Sequence, residues 1–192
     1  MRLFRWFVFI VLSLLVSCQA NTPSSITIID GEQILIVESS ERVPLTLLIQ
    51  NGFAPQPNDR VLVNGIPVPI DQPISVTGSI QLQLRRAVTL TLNTPQGQQM
   101  IQTSALTVGQ ALNEAGYSLN KNDRLDPPAE TPMTQALTIT YTPARDLTIY
   151  VGETILNIRS AAGTVGEALA EAGIPLMGLD TSSPLESEAP PP

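Results

Sequence analysis

Three aspartates recur at one distance after a glycine, and they are the first residues whose type and spacing could support chemistry. They are Asp59, Asp123 and Asp180, each seven residues after a glycine, and the first two stand in the sequence Asn-Asp-Arg. Such carboxylates could bind Ca²⁺ or a sugar hydroxyl, but a calcium site needs several convergent oxygens and no Asp-x-Asp-x-Asp spacing occurs. We therefore predict a structural role, in which each aspartate shapes the turn after a helix by accepting hydrogen bonds from backbone amides.

Two other pairs of charged residues are weaker candidates for a site. Glu114 and Glu171 could form the paired carboxylates of a glycosidase, which lie about 5–10 Å apart across one cleft. They occupy the same position in two copies of a repeat, so repetition explains them better. Arg85 and Arg86 could bind an anionic wall polymer, although a solvated strand end or an ion pair between domains explains them more simply.

The composition narrows the chemistry further. The chain has no His and one Cys in 192 residues, which removes the commonest general base near neutral pH and excludes a disulfide within the chain. No serine-centred nucleophile elbow, phosphate-binding loop or dinucleotide fingerprint is present. We predict that the protein is not an enzyme and has no catalytic residues, no metal site and no cofactor.

The N-terminus has the features of an export signal. Arg2 and Arg5 accompany an apolar run that is too short for a comfortable membrane span but suits a secretory signal. The run ends in LVSC, which resembles the lipobox read by the bacterial lipoprotein-processing machinery. By that resemblance Cys18 becomes the lipid-bearing N-terminal residue, and its acyl chains would hold the protein on a membrane. The alternatives are a plain secreted protein, or an N-terminal membrane anchor with an incidental cysteine.

The chain that remains after such processing would be strongly acidic. Removal of residues 1–17 leaves eight basic and 17 acidic residues, a net charge of about −9. The one basic cluster left is Arg85-Arg86, which argues against nucleic acid as a partner. The same charge argues against electrostatic binding to an anionic lipid surface.

The elements that must position these residues form three copies of one pattern. The phrase TVGQALNEAG at 107–116 returns as TVGEALAEAG at 164–173. The glycines that close the helix phrases of the three copies are spaced by 64 and 57 residues; they are Gly52, Gly116 and Gly173. Internal similarity of this length indicates tandem modules. Each copy opens with two strand-like runs around a turn, as in ITIID and QILIV around Asp-Gly.

The repeated phrase predicts a short helix whose apolar residues share one face. A threonine at its start is placed as N-cap, and the Gln or Glu three residues later completes a capping box. The glycine at its end suits a left-handed residue that terminates a helix. The residues with these predicted structural roles are Thr107, Gln110 and Gly116 in the second copy and Thr164, Glu167 and Gly173 in the third.

A strand closes the first two copies, at 79–86 and 136–143, but no such strand follows in the third copy. The order strand, strand, helix, irregular segment, strand predicts an α+β fold of tandem ubiquitin-like β-grasp modules. For the third copy three explanations stay open: a fragment of a longer protein, an incomplete module, or a tail that acts as a linker. The predicted boundaries are 1–17 for a lipoprotein signal peptide, 18–25 for a tether, 26–86 for a divergent first module, 87–144 for the second, and 145–192 for a partial third module with a Pro-rich tail.

The hairpin, the TVGxALxEAG phrase and the aspartate seven residues later resemble a ubiquitin-like domain of bacterial cell-surface proteins, formally a domain of unknown function. That domain occurs in tandem ahead of a five-glycine domain in resuscitation-promoting factors and related wall-associated proteins. The resemblance covers nearly all of residues 26–185 and is weaker in the first copy. It implies a β-grasp fold, an extracytoplasmic location and a role as stalk, spacer or wall-interaction module. It supplies no catalytic residue, because the catalytic domain of those proteins is a separate one that has no counterpart here.

These observations together predict a non-catalytic surface lipoprotein, lipid-anchored to the cell membrane, that acts as a spacer or binding module in the envelope. Its expected partners are the membrane, through the lipid anchor, and peptidoglycan or another envelope polymer. The alternative is the N-terminal part of a peptidoglycan-remodelling hydrolase whose catalytic domain is missing. A ligand-binding protein of the polysaccharide-export kind is disfavoured, because the Gly-x-Val-x-x-Pro-Gly element of those proteins is not found.

Overall fold

The computed structural model of the chain describes residues 23–76 and 78–191. The predicted signal peptide, residues 1–17, and the candidate lipidation residue Cys18 lie outside the described residues. Contacts divide the chain into two compact units. Of the described residues, the first unit holds 23–55, 60–76 and 78–85, and the second holds 56–59 and 86–191.

The first module contains five strands and one helix among the described residues. The elements are β1 (Ser24–Asp30), β2 (Gln33–Ser39), α1 (Pro44–Gln50), β3 (Arg60–Val63), β4 (Ile66–Val68) and β5 (Ile80–Arg85). The strands form one sheet in the order β2-β1-β5-β3-β4, in which β1 and β5 run parallel and all other neighbours run antiparallel. Asn64 and Gly65 between β3 and β4 both have positive φ, which is the conformation that an Asn-Gly hairpin turn needs.

The second module repeats this arrangement with one strand fewer. Its elements are β6 (Val88–Thr94), β7 (Gly97–Thr103), α2 (Val108–Glu114), β8 (Arg124–Asp126) and β9 (Leu137–Thr142). The sheet order is β7-β6-β9-β8, and β6 pairs parallel with β9. Both modules thus share one arrangement: the first strand pairs antiparallel with its hairpin partner and parallel with the closing strand.

The third module has only the hairpin and the helix as regular elements within residues 145–191. They are β10 (Arg145–Val151), β11 (Thr154–Ser160) and α3 (Val165–Glu171). The two strands form a sheet of their own. The predicted α+β class with tandem β-grasp modules is confirmed, and the predicted closing strand is found in the first and second modules.

The helices α1, α2 and α3 are each only seven residues long and depend on packing and end caps, because an isolated helix of this length is marginal in water. All three helices end in the same way. The glycine after the helix takes a positive φ, and the next amide donates to the carbonyl five residues back, as in Tyr117 N–H to Leu112 O at 2.9 Å. This is the Schellman motif, which satisfies carbonyls that the helix itself leaves free. The glycines are Gly52, Gly116 and Gly173.

The first two modules each bury an apolar core between helix and sheet. Alternation along the first strand delivers two fully buried side chains to each core. They are Ile26 and Ile28 in the first module and Leu90 and Leu92 in the second, all 0% exposed. The corresponding residues of the third module, Leu147 and Ile149, are only half-buried.

Candidate functional site: module joints and an open groove

The start of α2 is fixed by the residues predicted to form a capping box. The Thr107 hydroxyl accepts a hydrogen bond from the Gln110 amide at 3.3 Å. The Gln110 side-chain oxygen accepts from the Leu106 amide at 3.0 Å, one residue before the N-cap rather than from the N-cap itself. The box therefore satisfies one helix amide and one amide of the entering chain.

The start of α3 has the same construction with a charged residue. The Thr164 hydroxyl accepts from the Glu167 amide at 3.2 Å, and the Glu167 carboxylate accepts from the Gly163 amide at 2.9 Å. The Gly163 bond, followed by the Arg124 guanidinium, lowers the pKa of Glu167 below its usual value. These side chains are thus used for the local fold and are not aimed at a common site.

The helix of the first module begins differently, in line with its divergent sequence. Its N-cap is Val43, which has no side chain for capping, and Pro44 stands at the first helical position. The Glu41 carboxylate instead accepts the amides of Arg42 at 2.7 Å and Val43 at 2.8 Å. Pro suits this position because its missing N–H is one that the helix would leave unpaired.

A glycine inside the repeated phrase has a packing role that sequence reasoning missed. A Cβ placed on Gly109 would lie 3.0 Å from the Ala129 Cβ, and one placed on Gly166 would lie 3.3 Å from the Glu186 Cβ. The amide of Gly109 donates to Ala129 O at 2.8 Å, which brings the two backbones together. The only signal in the sequence was that this glycine is identical in both phrases, TVGQ and TVGE.

Asp123 links the second module to the third. Its Oδ1 accepts the Ala144 amide at 2.8 Å, and its Oδ2 accepts the Asn120 amide at 2.8 Å and the Tyr141 hydroxyl at 3.1 Å. Burial alone would raise the pKa of Asp123, but these donors, the Ala144 amide foremost, outweigh it and lower the pKa. A carboxylate that receives several N–H and O–H donors holds a structural position, as predicted from the turn context.

Asp59 has the equivalent contacts. Its carboxylate accepts the amides of Gln56 and Ala87, each at 2.8 Å, and the Arg86 guanidinium at 2.8 Å. The Asp59 side chain is 3% exposed. Burial would raise the pKa of Asp59, but the donors from Gln56, Ala87 and Arg86 outweigh burial and lower it. Arg86, a candidate for binding a wall polymer, is thus engaged in an ion pair.

Asp180 has the simplest surroundings of the three aspartates. Its carboxylate accepts the Met177 amide at 3.1 Å, and the residue is exposed. The same carboxylate-to-amide turn, spanning three residues, therefore follows all three helices. No group of three or more His, Cys, Asp or Glu side chains within the described ranges is arranged to hold a metal ion.

The two sequence neighbours of Asp123 also contact the third module. Asn122 donates through its side-chain amide to the Arg159 carbonyl. Arg124 lies 3.2 Å from the Glu167 carboxylate and 3.9 Å from the Glu171 carboxylate. The Asn-Asp-Arg sequence therefore contacts β10, β11 and α3 or their flanking residues through three consecutive side chains.

The two glutamates considered as a glycosidase pair have separate local partners. Glu114 accepts from the Gln110 side chain at 2.9 Å, one turn away on α2. Glu171 accepts from the Ser160 hydroxyl and faces Arg124. Glu114 thus has a partner on its own helix, whereas Glu171 belongs to the joint between the second and third modules.

The segment after α3, which resembled a Pro-rich tail, follows the path of the irregular segment of the second module. In the second module the first two helix amides, Val108 and Gly109, donate to the carbonyls 23 and 20 residues later, at Thr131 and Ala129. In the third module Val165 and Gly166 donate to carbonyls at the same separations, at 2.8 and 2.9 Å. The acceptors are Glu188 and Glu186. Residues 186–188 therefore lie against the start of their own helix as part of the module.

An open groove lies beside β10 and α3 in the third module. It has a volume of about 1040 Å³ and is lined by β10, by the apolar face of α3 and by residues of the segment after α3. Leu147, Ile149 and Pro190 are among the residues that line it. The Arg145 guanidinium donates to the Pro190 carbonyl at 2.6 Å, which fastens the end of the segment beside β10.

Comparison with known families agrees with this architecture. The family model described as the G5-linked ubiquitin-like domain matches residues 96–130 and 147–181. These ranges fall within the second and third modules, so the prediction of a tandem ubiquitin-like domain is confirmed there. A comparison with the curated proteins gives no match. In the described part of the chain, no helix has the length and apolarity required to cross a membrane.

Proposed function

We propose that the protein is a non-catalytic lipoprotein of a bacterial cell envelope, held on the membrane by a lipid on Cys18, whose β-grasp modules act as a spacer or binding module. The observation that carries this proposal is the joint at Asp123. Three consecutive side chains, Asn122 to Arg124, serve to connect two modules. Polar groups in this protein are thus used to build a chain of modules.

The family match supports the same function. The matched model is described as a G5-linked ubiquitin-like domain, which is consistent with a non-catalytic module. The net negative charge of the chain favours a protein that stays soluble and does not bind anionic polymers through charge alone.

Lipid anchoring is tested with a Cys18→Ser variant expressed in a bacterium that processes lipoproteins. We expect the unchanged protein to incorporate labelled fatty acid and to fractionate with membranes, because stable anchoring needs about two acyl chains. The variant should lose the label and the processing by signal peptidase II. A variant that is labelled and processed like the unchanged protein would contradict the proposal.

The envelope role is tested by sedimentation of the purified chain with insoluble peptidoglycan. Saturable co-sedimentation identifies a binding module, and a chain that stays in the supernatant without altering the peptidoglycan identifies a spacer. An Asp180→Ala variant serves as a control for the loss of one exposed carboxylate, because the Asp180 side chain takes no part in the joint at Asp123. Release of soluble muropeptides by the purified chain would contradict a non-catalytic role.

A further inference from the structure

We propose that two copies of the chain associate through the first module. Strand β2 of one copy pairs antiparallel with β2 of a second copy about a two-fold axis, so that the two five-stranded sheets become one continuous sheet. This inference goes beyond the spacer or binding role and does not depend on the lipid at Cys18, because it rests on residues of the first module alone.

The outer side of β2 carries unpaired backbone groups. β2 stands at one end of the order β2-β1-β5-β3-β4, and no described strand pairs with its other side. Asp30 and Gln33 close the β1–β2 hairpin around a two-residue turn, so Gln33 exchanges both of its backbone hydrogen bonds with β1. Because such pairing alternates, the N–H and C=O groups of Ile34, Ile36 and Glu38 point away from β1. A row of this kind is a template for another strand.

The side chains of β2 add apolar surface beside this row. Ile34 and Ile36 are 66% and 67% exposed on the face of the sheet that points away from α1. Leu35 and Val37 point to the helix side, where Leu35 is 38% exposed and Val37 is half-buried. A neighbouring strand would therefore cover apolar side chains on both faces of the sheet, which favours its addition.

This edge lacks the features that normally keep strands from pairing with other chains. Edge strands are commonly protected by short length, by proline or by charged side chains. β2 is seven residues long, and its one charged residue, Glu38, lies next to its end. The opposite edge of the same sheet, β4, has three residues and contains Pro67. The first module therefore has one protected edge and one edge suited to a regular partner.

The hairpin edges of the other two modules differ from that of β2. In the third module the carbonyl of Arg159, at the free side of β11, accepts the side-chain amide of Asn122, so the joint covers part of that edge. In the second module β7 has Gln98, Met100 and Gln102 at the positions of Ile34, Ile36 and Glu38. Within the described residues, β2 is thus the hairpin edge that is both apolar and uncovered.

Two copies of β2 fit each other about a two-fold axis. Full overlap of the seven residues places Ile36 opposite Ile36 of the second copy, and Ile34 opposite Glu38 of the second copy. These are the residues whose backbone groups point outward, so each opposed pair exchanges two hydrogen bonds, about six in all. Stable interfaces have about 10 ± 5 direct hydrogen bonds. The seam is therefore at the low end of that range, and we expect a dimer that forms in a concentration-dependent way.

The same register brings apolar side chains together on both faces. On the helix side Leu35 lies opposite Val37 of the second copy, at the non-hydrogen-bonded position where side chains are closest. On the other face the two Ile36 side chains meet at the axis, and Ile34 of each copy lies diagonally beside them. Glu38 lies opposite an isoleucine, so no like charges are opposed.

The symmetry of this fit favours a second copy over a different polypeptide. A two-fold interface uses the same strand on both subunits, so the two β2 edges cover each other and leave neither open. The outer edges of the combined sheet are then the two β4 strands, which are short and contain Pro67. The association therefore stops at a dimer and does not continue into a fibre.

Self-association is measured by analytical ultracentrifugation of the full chain in a mild detergent. We expect a monomer–dimer equilibrium whose dissociation constant rises at least tenfold in Ile36→Lys, because two lysines would meet at the axis. Met100→Lys changes the equivalent exposed residue of β7 and should leave the constant unchanged. Monomers at all concentrations up to about 1 mM would overturn the proposal. Dimers that both variants weaken equally, or that neither weakens, would also overturn it.

Hydrogen–deuterium exchange resolved by residue locates the seam. At concentrations that favour the dimer, exchange should slow at the amides of Ile34, Ile36 and Glu38. The amides of Leu35 and Val37 should change little, because they already pair with β1. Concentration-dependent protection of β4 or β7 without this alternation in β2 would contradict the proposed seam.

Register and direction are tested by disulfide formation in a Cys18→Ser background, which removes the one cysteine of the chain. Opposed hydrogen-bonded residues have Cα atoms about 5.5 Å apart, which is within the range of a disulfide. Ile36→Cys alone should therefore give a linked dimer under mild oxidation. Ile34→Cys should link at least tenfold faster to Glu38→Cys than to itself.

Met100→Cys reports the rate of linkage by random collision at an exposed position. Ile36→Cys that links no faster than Met100→Cys would overturn the pairing of β2 strands. A parallel arrangement would place each residue opposite its own copy, so equally fast self-linkage of Ile34→Cys and Ile36→Cys would overturn the antiparallel register.

Discussion

The Asp123 carboxylate accepts a hydrogen bond from the backbone amide of Ala144 at 2.8 Å, across 21 positions of the chain. Ala144 is 5% exposed and directly precedes β10, so its amide is removed from water and depends on this acceptor. The same carboxylate also closes the turn after α2 through the Asn120 amide. One side chain therefore fixes both the end of one module and the beginning of the next.

Replacement of Asp123 by alanine should destabilise the protein, because it leaves the buried Ala144 amide without its acceptor. An unsatisfied buried donor costs about 1–3 kcal/mol, and we expect a loss of about that size in the free energy of unfolding by urea. Asp180→Ala is the matched control, since that carboxylate receives only the exposed Met177 amide and its loss should be small. Equal losses in the two variants would contradict the linking role of Asp123.

The same carboxylate predicts acid sensitivity. The pKa of Asp123 is lower in the folded protein than its usual value, because the hydrogen bonds that its carboxylate accepts outweigh the opposing effect of burial. The ionised form therefore stabilises the fold fully above the unfolded pKa of about 3.9, and that stabilisation is lost as the pH falls through the folded pKa. Urea midpoints between pH 6 and pH 2 should fall below pH 4, and Asp123→Asn should flatten this fall. A fall of unchanged steepness in the variant would assign it to other groups, including Asp59.

Local elements could be predicted from the sequence because their signals are local. The alternation in VTLTL and the Thr-Val-Gly-Gln start of α2 depend on residues within one turn or one hairpin, and both elements lie where the pattern places them. The contact of Asp123 with Ala144 could not be predicted in this way. The two residues come close only once β9 has paired in the sheet. Nothing in the turn sequence indicates that Asp123 also accepts an amide from outside its own turn.

The segment after α3 shows a second limit of sequence reasoning. Its apolar residues follow no helical or strand period, so its sequence resembles that of a linker. Its packing is seen in the hydrogen bonds that it accepts from the amides of Val165 and Gly166. Those amides need acceptors because a helix leaves its first N–H groups unpaired. The backbone carbonyls of Glu186 and Glu188 meet this need, and a carbonyl acceptor leaves no mark in the side-chain sequence.

Loss of the threonine cap should weaken the second module. Thr107→Ala removes the hydroxyl that accepts the Gln110 amide, and such substitutions cost about 0.5–2 kcal/mol. The free energy of unfolding should fall by that amount in urea titrations monitored by circular dichroism. Thr107→Ser keeps the acceptor and is expected to lie close to the unchanged protein. A serine variant as unstable as the alanine variant would show that the methyl group, and not the cap, matters at this position.

Gly109 offers a test of how closely α2 approaches the irregular segment. A change from Gly to Ala inside a helix ordinarily stabilises by up to about 1 kcal/mol. At Gly109 the new Cβ would lie 3.0 Å from the Ala129 Cβ and 3.2 Å from its carbonyl oxygen, so we expect Gly109→Ala to destabilise the protein. Gly166→Ala, whose nearest contact is 3.3 Å, should be affected less.

A double-mutant cycle identifies the contact responsible for this effect. Ala129→Gly removes the Cβ that the new methyl group meets, so part of the loss caused by Gly109→Ala should be recovered in the combined variant. Residues in direct contact show coupling energies of about 0.5–3 kcal/mol, whereas independent sites add within about 0.5 kcal/mol. Urea unfolding of the four proteins measures the coupling. Additive losses would mean that the new methyl group is opposed by the Ala129 carbonyl oxygen at 3.2 Å, which Ala129→Gly leaves in place, and not by the Ala129 Cβ.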